Sequence, residues 1–287
     1  MTICFFVSDL HGGIDRYNKL FDKISEERPS AVFLGGDLLP TGLFPLLSNG
    51  PPIRDFVKEV ITAGFEKLRG KLGDVYPQVF LILGNDDGRA AEADFIAAES
   101  IGLWVYVSGK RVNFGPYTVY GYPYVPPTPF QLKDWERYDV SRYMDPGCVP
   151  PEEGWTTTHV PKNEIKNATI EQDLERLVGD DDLSNAIMLF HSPPYSTKLD
   201  RADLNGKTIN HAPVDVHVGS IAVKRFIESR QPLITLHGHI HESPRLTGSW
   251  KERIGRTMAF SAAHDGPELA LVTFDPQTPE TAMRELL

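Results

Sequence analysis

Residues 2–13 read Thr-Ile-Cys-Phe-Phe-Val-Ser-Asp-Leu-His-Gly-Gly, and this stretch decides how the rest of the chain is read. Residues 2–8 are short and apolar, the pattern of a buried strand. The run stops at Asp9-Leu10-His11-Gly12-Gly13. Beyond it, Ile14, Tyr17, Leu20, Phe21 and Ile24 fall at helical spacing until Pro29 ends the segment. Ala31–Gly35 repeats the theme as a second buried strand closed by Gly36-Asp37. After a loop rich in Leu, Pro and Gly, Pro52 suits the first turn of a helix. Ile53, Phe56, Val57, Val60, Ile61, Phe65 and Leu68 make its apolar stripe. Residues 78–83 are a third strand, ending at Gly84-Asn85-Asp86-Asp87, and residues 90–100 read as a helix. Strands alternating with helices predict an α/β protein.

Further along, residues 103–107, Arg111–Phe114 and Tyr117–Tyr122 are strand-like. The alternation then breaks. From Pro123 to about Pro161 the chain is rich in proline and carries Tyr124, Phe130, Trp135, Tyr138, Tyr143 and Trp155. This is too aromatic for a disordered linker and too irregular for regular structure. It reads as an ordered excursion whose aromatics either stack on a base or aryl group or pack as a satellite cluster. Thr169-x-x-Gln172 is a capping box. Ala186–Phe190 is a strand ending at His191, and a long loop, residues 192–219, leads to a helix capped by Ser220. The strand at 233–236 runs into His237-Gly238-His239-Ile240-His241. The tail, Thr257–Ser261 and 269–274, is strand-rich with no helix of note.

Composition narrows the class of function. In 287 residues, 41% are apolar and 24% charged, ordinary for a globular protein. No run of apolar residues is long enough for a membrane span, and the N-terminus lacks the features of a signal peptide. Two cysteines make no disulfide framework, so a reducing, cytoplasmic setting is expected. The net charge of −10 argues against long nucleic acids and anionic membranes as partners. A local phosphate site stays open, because bound cations can reverse the sign of a small pocket.

The informative fact is where metal-competent residues fall. Five separate strands each deliver Asp, Asn or His at the carboxyl end: Asp9 and His11, Asp37, Asn85 with Asp86 and Asp87, His191, and His237 with His239. Open α/β sheets bind ligands outside those ends, so residues far apart in sequence can converge there. Any single motif is weak. Asp215-Val-His217 matches the same Asp-x-His pattern as Asp9-Leu-His11, yet it follows no strand and reads as an ordinary loop pair.

In this order the motifs resemble the calcineurin-like metallophosphoesterase superfamily: Asp9-x-His11, Gly36-Asp37, Gly84-Asn85-x-Asp87, His191 and Gly238-His239-x-His241. The resemblance implies two mixed β-sheets packed as a sandwich and flanked by helices, formed by residues 1–287 as one domain. It shifts the last ligand pair from His237 and His239 to His239 and His241, with His237 a neighbour. One metal would take Asp9, His11, Asp37 and His241. The other would take Asp37, Asn85, His191 and His239, with Asp37 bridging. Two divalent ions (Mn, Fe or Zn) would activate a water for hydrolysis of a phosphoester or phosphodiester in a small substrate. The alternatives are an inactive metal-binding scaffold or a nuclease of the same fold.

One position departs from the resemblance. Where the family commonly places a leaving-group His, this chain has Asp86, the candidate catalytic residue. Beside two cations its carboxyl would be ionised, a poor acid, which predicts a bias towards activated esters, diesters or phosphoanhydrides.

Overall fold

Along β1 (Cys4–Val7) the side chains alternate between two separate cores. Cys4 and Phe6 join Ala31, Phe33, Phe80 and Ile82 in the layer between two sheets. Phe5 and Val7 face the opposite way, against Tyr17, Leu20, Ile24 and Phe65 from helices. A strand covered on both faces must be apolar throughout, which is why its sequence shows no alternation. The computed structural model describes residues 2–40, 54–209 and 211–287.

The first sheet has the order β14-β13-β1-β2-β3-β4. Its members are β1, β2 (Ala31–Gly35), β3 (Gln78–Ile82), β4 (Val105–Tyr106), β13 (Ala270–Phe274) and β14 (Met283–Leu286). β1 to β4 run parallel, while β13 joins β1 antiparallel. The second sheet has the order β11-β12-β10-β7-β6-β5. It comprises β5 (Arg111–Phe114), β6 (Tyr117–Tyr122), β7 (Ala186–Phe190), β10 (Ile234–His237), β11 (Lys251–Ile254) and β12 (Thr257–Ser261). Here β6, β7, β10 and β12 are parallel. A small hairpin, β8 (Thr208–Ile209) with β9 (Ala212–Pro213), stands apart from both sheets.

Three helices cover the first sheet: α1 (Ile14–Glu27), α2 (Ala63–Leu72) and α3 (Glu92–Ser100). After the short α4 (Lys162–Asn167), α5 (Ile170–Val178) and α6 (Ile221–Arg230) cover the second. The two mixed sheets packed face to face between helices are the sandwich that the sequence predicts. Thr169 caps α5 by accepting from the Gln172 amide, and Ser220 caps α6 in the same way through Val223. Among the described residues, no helix is long and apolar enough to cross a membrane.

Several local expectations are corrected. Ile14 is 40% exposed, so the buried stripe of α1 starts at Tyr17. The stretch expected to be one helix before Leu68 is π-helical over Val57–Thr62 and becomes α-helical only from Ala63. The start expected at Pro52 and Ile53 lies outside the described residues. β11 and β14 were not legible because both are edge strands of charged composition, KERI and MREL. Between β10 and the strand-rich tail stands a short helix, α7 (Ser243–Thr247), that was not expected.

The excursion is ordered, as expected. It is stitched by bridges from Val125 to Glu136 and from Leu132 to Trp155. Inside it Lys133 and Glu136 form a fully buried ion pair at 2.5 Å. Trp135 and Tyr138 are buried, and the guanidinium groups of Arg89 and Arg137 both pack near the Tyr124 ring. Those three rings pack within the protein, which is the satellite-cluster alternative. Phe130, Tyr143 and Trp155 are exposed.

Candidate metal centre

Each metal-competent side chain leaves the carboxyl end of a central strand, and the two sheets bring those ends together. Asp9 and His11 continue from β1, and their amides still pair with the β2 loop at the carbonyls of Gly36 and Asp37. Gly238, beyond β10, donates to the carbonyl of His191, beyond β7. The sheets meet where the His239 amide donates to both oxygens of the Asp9 carboxylate, at 3.0 and 3.2 Å. This contact requires Gly238. A Cβ there would stand 2.0 Å from Ser8 Oγ and 2.7 Å from Asp9 Oδ2. Gly84 plays the same part for Asp37, whose Oδ1 would lie 2.3 Å from an added Cβ.

The backbone is strained at these residues. Among the described residues eight non-glycine positions have positive φ, and four of them are Asp9, His11, Asp37 and His239. A left-handed conformation of a non-glycine residue costs about 1–3 kcal/mol and persists only where surrounding structure enforces it. Part of that enforcement is Asp87. Its buried carboxylate accepts from the amides of Leu38, Leu39 and Gly84, tying the Asp37 loop to the Asn85 loop.

The donors form two groups that share one residue. Asp9, His11, Asp37 and His241 offer atoms within 4.8 Å of one another, and so do Asp37, His191 and His239. Asn85 joins the second group, with Oδ1 3.0 Å from His191 Nε2. His191 Nδ1 donates to the carbonyl of Gly35 at 2.8 Å, which turns Nε2 towards Asp37 Oδ2 at 3.2 Å. In the first group His11 Nε2 and His241 Nε2 stand 3.1 Å apart. Two nitrogens on one ion, with bonds of about 2.1 Å at right angles, would be about 3 Å apart. A divalent cation therefore fits each group by donor type and by spacing.

Charge within the site points the same way. Burial alone would raise the Asp9 carboxyl, but the hydrogen bond and charge of His241, with His191 and His11 behind it, hold it far below the usual carboxylate range. Asp37 is likewise lowered against its burial by His191 and His11. Conversely, burial opposes protonation of His191, yet Asp37 pulls it up to about 10. His241 rises against its burial to about 8 through Asp9. Protons on two imidazoles thus balance the carboxylates, the task that cations would take over. His239 is pushed down to about 3 by burial and by the charge on His191, so its ring is a neutral donor.

His237 is not part of either group. Its Nδ1 bonds to the carbonyl of Ser192 at 2.9 Å and its Nε2 to Thr235 Oγ1 at 2.8 Å. The ring stacks on Phe190, and burial keeps it neutral, pulled down to about 4. The donor groups hold His239 and His241, the pair that the resemblance put in place of His237 with His239. Asp86 sits at the rim with its side chain about a third exposed, Oδ2 3.7 Å from His11 Nδ1. Its amide donates to Asp37 Oδ1 at 2.8 Å. Without cations, burial and then Asp37 push its carboxyl up to about 6, opposite to the direction expected beside two cations. Asp215 and His217 lie in neither donor group. Motif reading overlooked Asp200, which sits in no strand-end motif and carries no signal beyond being an Asp in a loop.

Known proteins resemble the chain in sequence over a part and in fold over nearly the whole. The chain is 33% identical over 81 residues to the uncharacterized protein MJ1162 of Methanocaldococcus jannaschii, a match covering 28% of this chain and 31% of that protein. The crystal structure of TT1561 of Thermus thermophilus aligns with a TM-score of 0.55 at 16% identity, covering 99% of this chain and 98% of that one. Another solved structure aligns at 0.59, again with 16% identity and coverage of 99% and 98%. At such identity these two likenesses speak for the fold. The sequence profile of the calcineurin-like phosphoesterases matches residues 4–243, which runs from the first residue of β1 to just beyond His241. With the profile covering four strands of each sheet and every strand end that carries a donor, the chain belongs to the calcineurin-like phosphoesterase family.

Proposed function

We propose that this protein hydrolyses a phosphoester or phosphodiester in a small phosphorylated substrate, using water activated at a two-cation centre. The observation that carries the reading is that Asp37 belongs to both donor groups. Bound there, two divalent ions would neutralise the phosphoryl oxygens and make water acidic enough to attack phosphorus. Asp9, His11, Asp37 and His241 would hold one ion, and Asp37, Asn85, His191 and His239 the other. Oxygen and imidazole donors with no thiolate suit Mn, Fe or Zn.

The chain's own part is to prepare this place. Gly35 orients His191, the His239 amide orients Asp9, and Asp87 locks two ligand loops together. The strain is thus spent during folding, so the donors need no rearrangement when substrate arrives. Asp86 lies beside this set at the rim, where it would meet the ester. The net charge of −10 disfavours long nucleic acids. The two cysteines are free thiols, which suits the cytoplasm. We treat the two sheets with their loops as one catalytic domain.

Purified, Mn-loaded protein assayed on bis-p-nitrophenyl phosphate and on p-nitrophenyl phosphate tests this. Turnover of either supports the reading and sorts diesterase from monoesterase. A second reading, an inactive scaffold, is favoured by Asp86 standing where a family acid is usual. Full metal content without turnover of any phosphoester would establish the scaffold instead.

A further inference from the structure

The loop between β7 and α6, residues 192–219, starts one residue after His191 and folds back beside it. The Ser220 amide donates to the carbonyl of Pro193, and the Tyr195 amide donates to that of Ser220. Its far arm rests on the residues just past His241. The Arg201 amide donates to Ser243 Oγ, and the Asp203 amide to Glu242 Oε1. The loop therefore runs from His191 to the residues just past His241, two of the three candidate ligand histidines of the second sheet.

Within it sits a built pair. The Asp200 side chain is fully buried, and its carboxylate accepts from the amides of Ser196, Thr197 and Gly219. The same carboxylate accepts from His217 Nδ1 at 2.8 Å. The His217 side chain is 27% exposed. Its Nε2 makes no hydrogen bond to a described residue. Asp215 bonds the His217 amide, and Tyr195, whose hydroxyl donates to Asp215, packs its ring near the imidazole. A buried carboxylate that fixes Nδ1 and leaves Nε2 open is how proteins orient an imidazole for proton transfer. A histidine that merely solvates a surface needs no such partner.

Elimination points to the same residue. Of nine histidines, His11, His191, His239 and His241 belong to the metal groups and His237 is sealed on both nitrogens. His264, which lines a cavity with Asp9, already gives Nε2 to the part-buried Glu268, and His159 and His211 are exposed. Asp86 stands where an imidazole acid would otherwise be. We propose that His217, positioned by Asp200, donates the proton that the leaving group takes up.

The step balances. The bond between phosphorus and the ester oxygen breaks, and its electron pair goes to that oxygen. The oxygen takes the Nε2 proton of cationic His217 and departs as the alcohol, leaving a neutral imidazole with Nδ1–H on Asp200. Water supplies the new oxygen on phosphorus, and the proton it releases recharges His217 through solvent. Asp200 is a positioning residue, since it acts only through the ring.

This inference rests on the proposed phosphoesterase activity, and the test separates the two. Metal-loaded wild type, His217→Gln and Asp200→Asn are assayed on aryl and alkyl esters that share one phosphoryl group. For His217→Gln, kcat on the poorest leaving group should fall about 100-fold. On p-nitrophenyl esters the fall should be less than about threefold, because that leaving group needs no proton. Metal content should not change. Nitrogen-detected imidazole spectra of the metal-free protein should show His217 with Nδ1–H in wild type and a tautomer mixture in Asp200→Asn. An equal loss on every ester, or no loss, in His217→Gln overturns the role of His217 while the phosphoesterase reading stands. A wild type that carries its ions and hydrolyses none of the series overturns both. The His217 variant leaves the Asp200 amide bonds intact, so the outcome does not depend on Asp200→Asn folding.

Discussion

Two loops of this protein carry the same Asp-x-His pattern and do different things with it. At Asp9-Leu10-His11 both residues take left-handed backbone conformations, and both side chains converge on Asp37 and His241. At Asp215-Val216-His217 neither residue has a positive φ. There Asp215 turns to Tyr195, and His217 turns away to Asp200. The spacing is identical, so the difference lies in the backbone that presents it. A strand that stops abruptly between two other loops forces a strained turn. In the long loop the strained positions fall elsewhere, at Ser196 and His211, and the Asp-x-His pair is spared.

The sharpest way to break the comparison is to remove shared and unshared carboxylates. Asp37→Ala should cost both ions and essentially all activity, whereas Asp215→Ala should keep near-full metal content. Elemental analysis of the two variants decides, and near-full metal in Asp37→Ala would sink the centre as described. Next comes the close approach of the sheets. Gly238→Ala would press a Cβ against Ser8 and Asp9. Overpacking of this kind costs about 1–3 kcal/mol, so urea unfolding should show a loss of that order, together with weaker metal binding. Unchanged stability would mean that the glycine is not what permits the Asp9–His239 contact.

A pH series tests the charge balance of the donor groups. In the metal-free protein His241 and His191 are raised above their unfolded value of 6.5, to about 8 and about 10. The stability they contribute is complete below pH 6.5 and is lost as pH climbs through those values. Tm of the metal-free protein should therefore fall above pH 6.5. Cations replace those protons, so metal binding should tighten over the same range. His241→Asn should flatten the first part of the decline. The smallest effect expected is a rescue. Asp86→His placed in the His217→Gln background should raise the rate on a poor leaving group relative to a good one by about tenfold. A ratio that stays put would show that residue 86 does not reach the leaving group.

Much of this was legible beforehand, for identifiable reasons. Central strands covered on both faces must be continuous apolar runs, so β1, β2, β3, β7 and β10 stand out in the sequence. Each ends at a glycine or a metal-competent residue, so the candidate ligands stand out with them. Edge strands β11 and β14 do not, because their exposed faces are charged to prevent pairing with other chains. The aromatic excursion showed its order but not its purpose. Trp135 and Tyr138 are core in the structure, while Trp155 lies at the surface, and nothing in their local sequence separates them.

The sequence by itself determined the sandwich of two sheets, the strand ends that carry Asp, Asn and His, and the order of those motifs along the chain. These follow from local patterns of burial and turn formation, which are written residue by residue. Tertiary structure supplied the physical reason that His241, not His237, joins the donor groups: a ring can be a ligand only if one of its nitrogens is left free. His237 spends both on Ser192 and Thr235. Tertiary structure alone decided that His217 answers to Asp200, 17 residues away in the chain. Which groups face each other across a crevice depends on distances between strands, and spacing along a chain does not encode them.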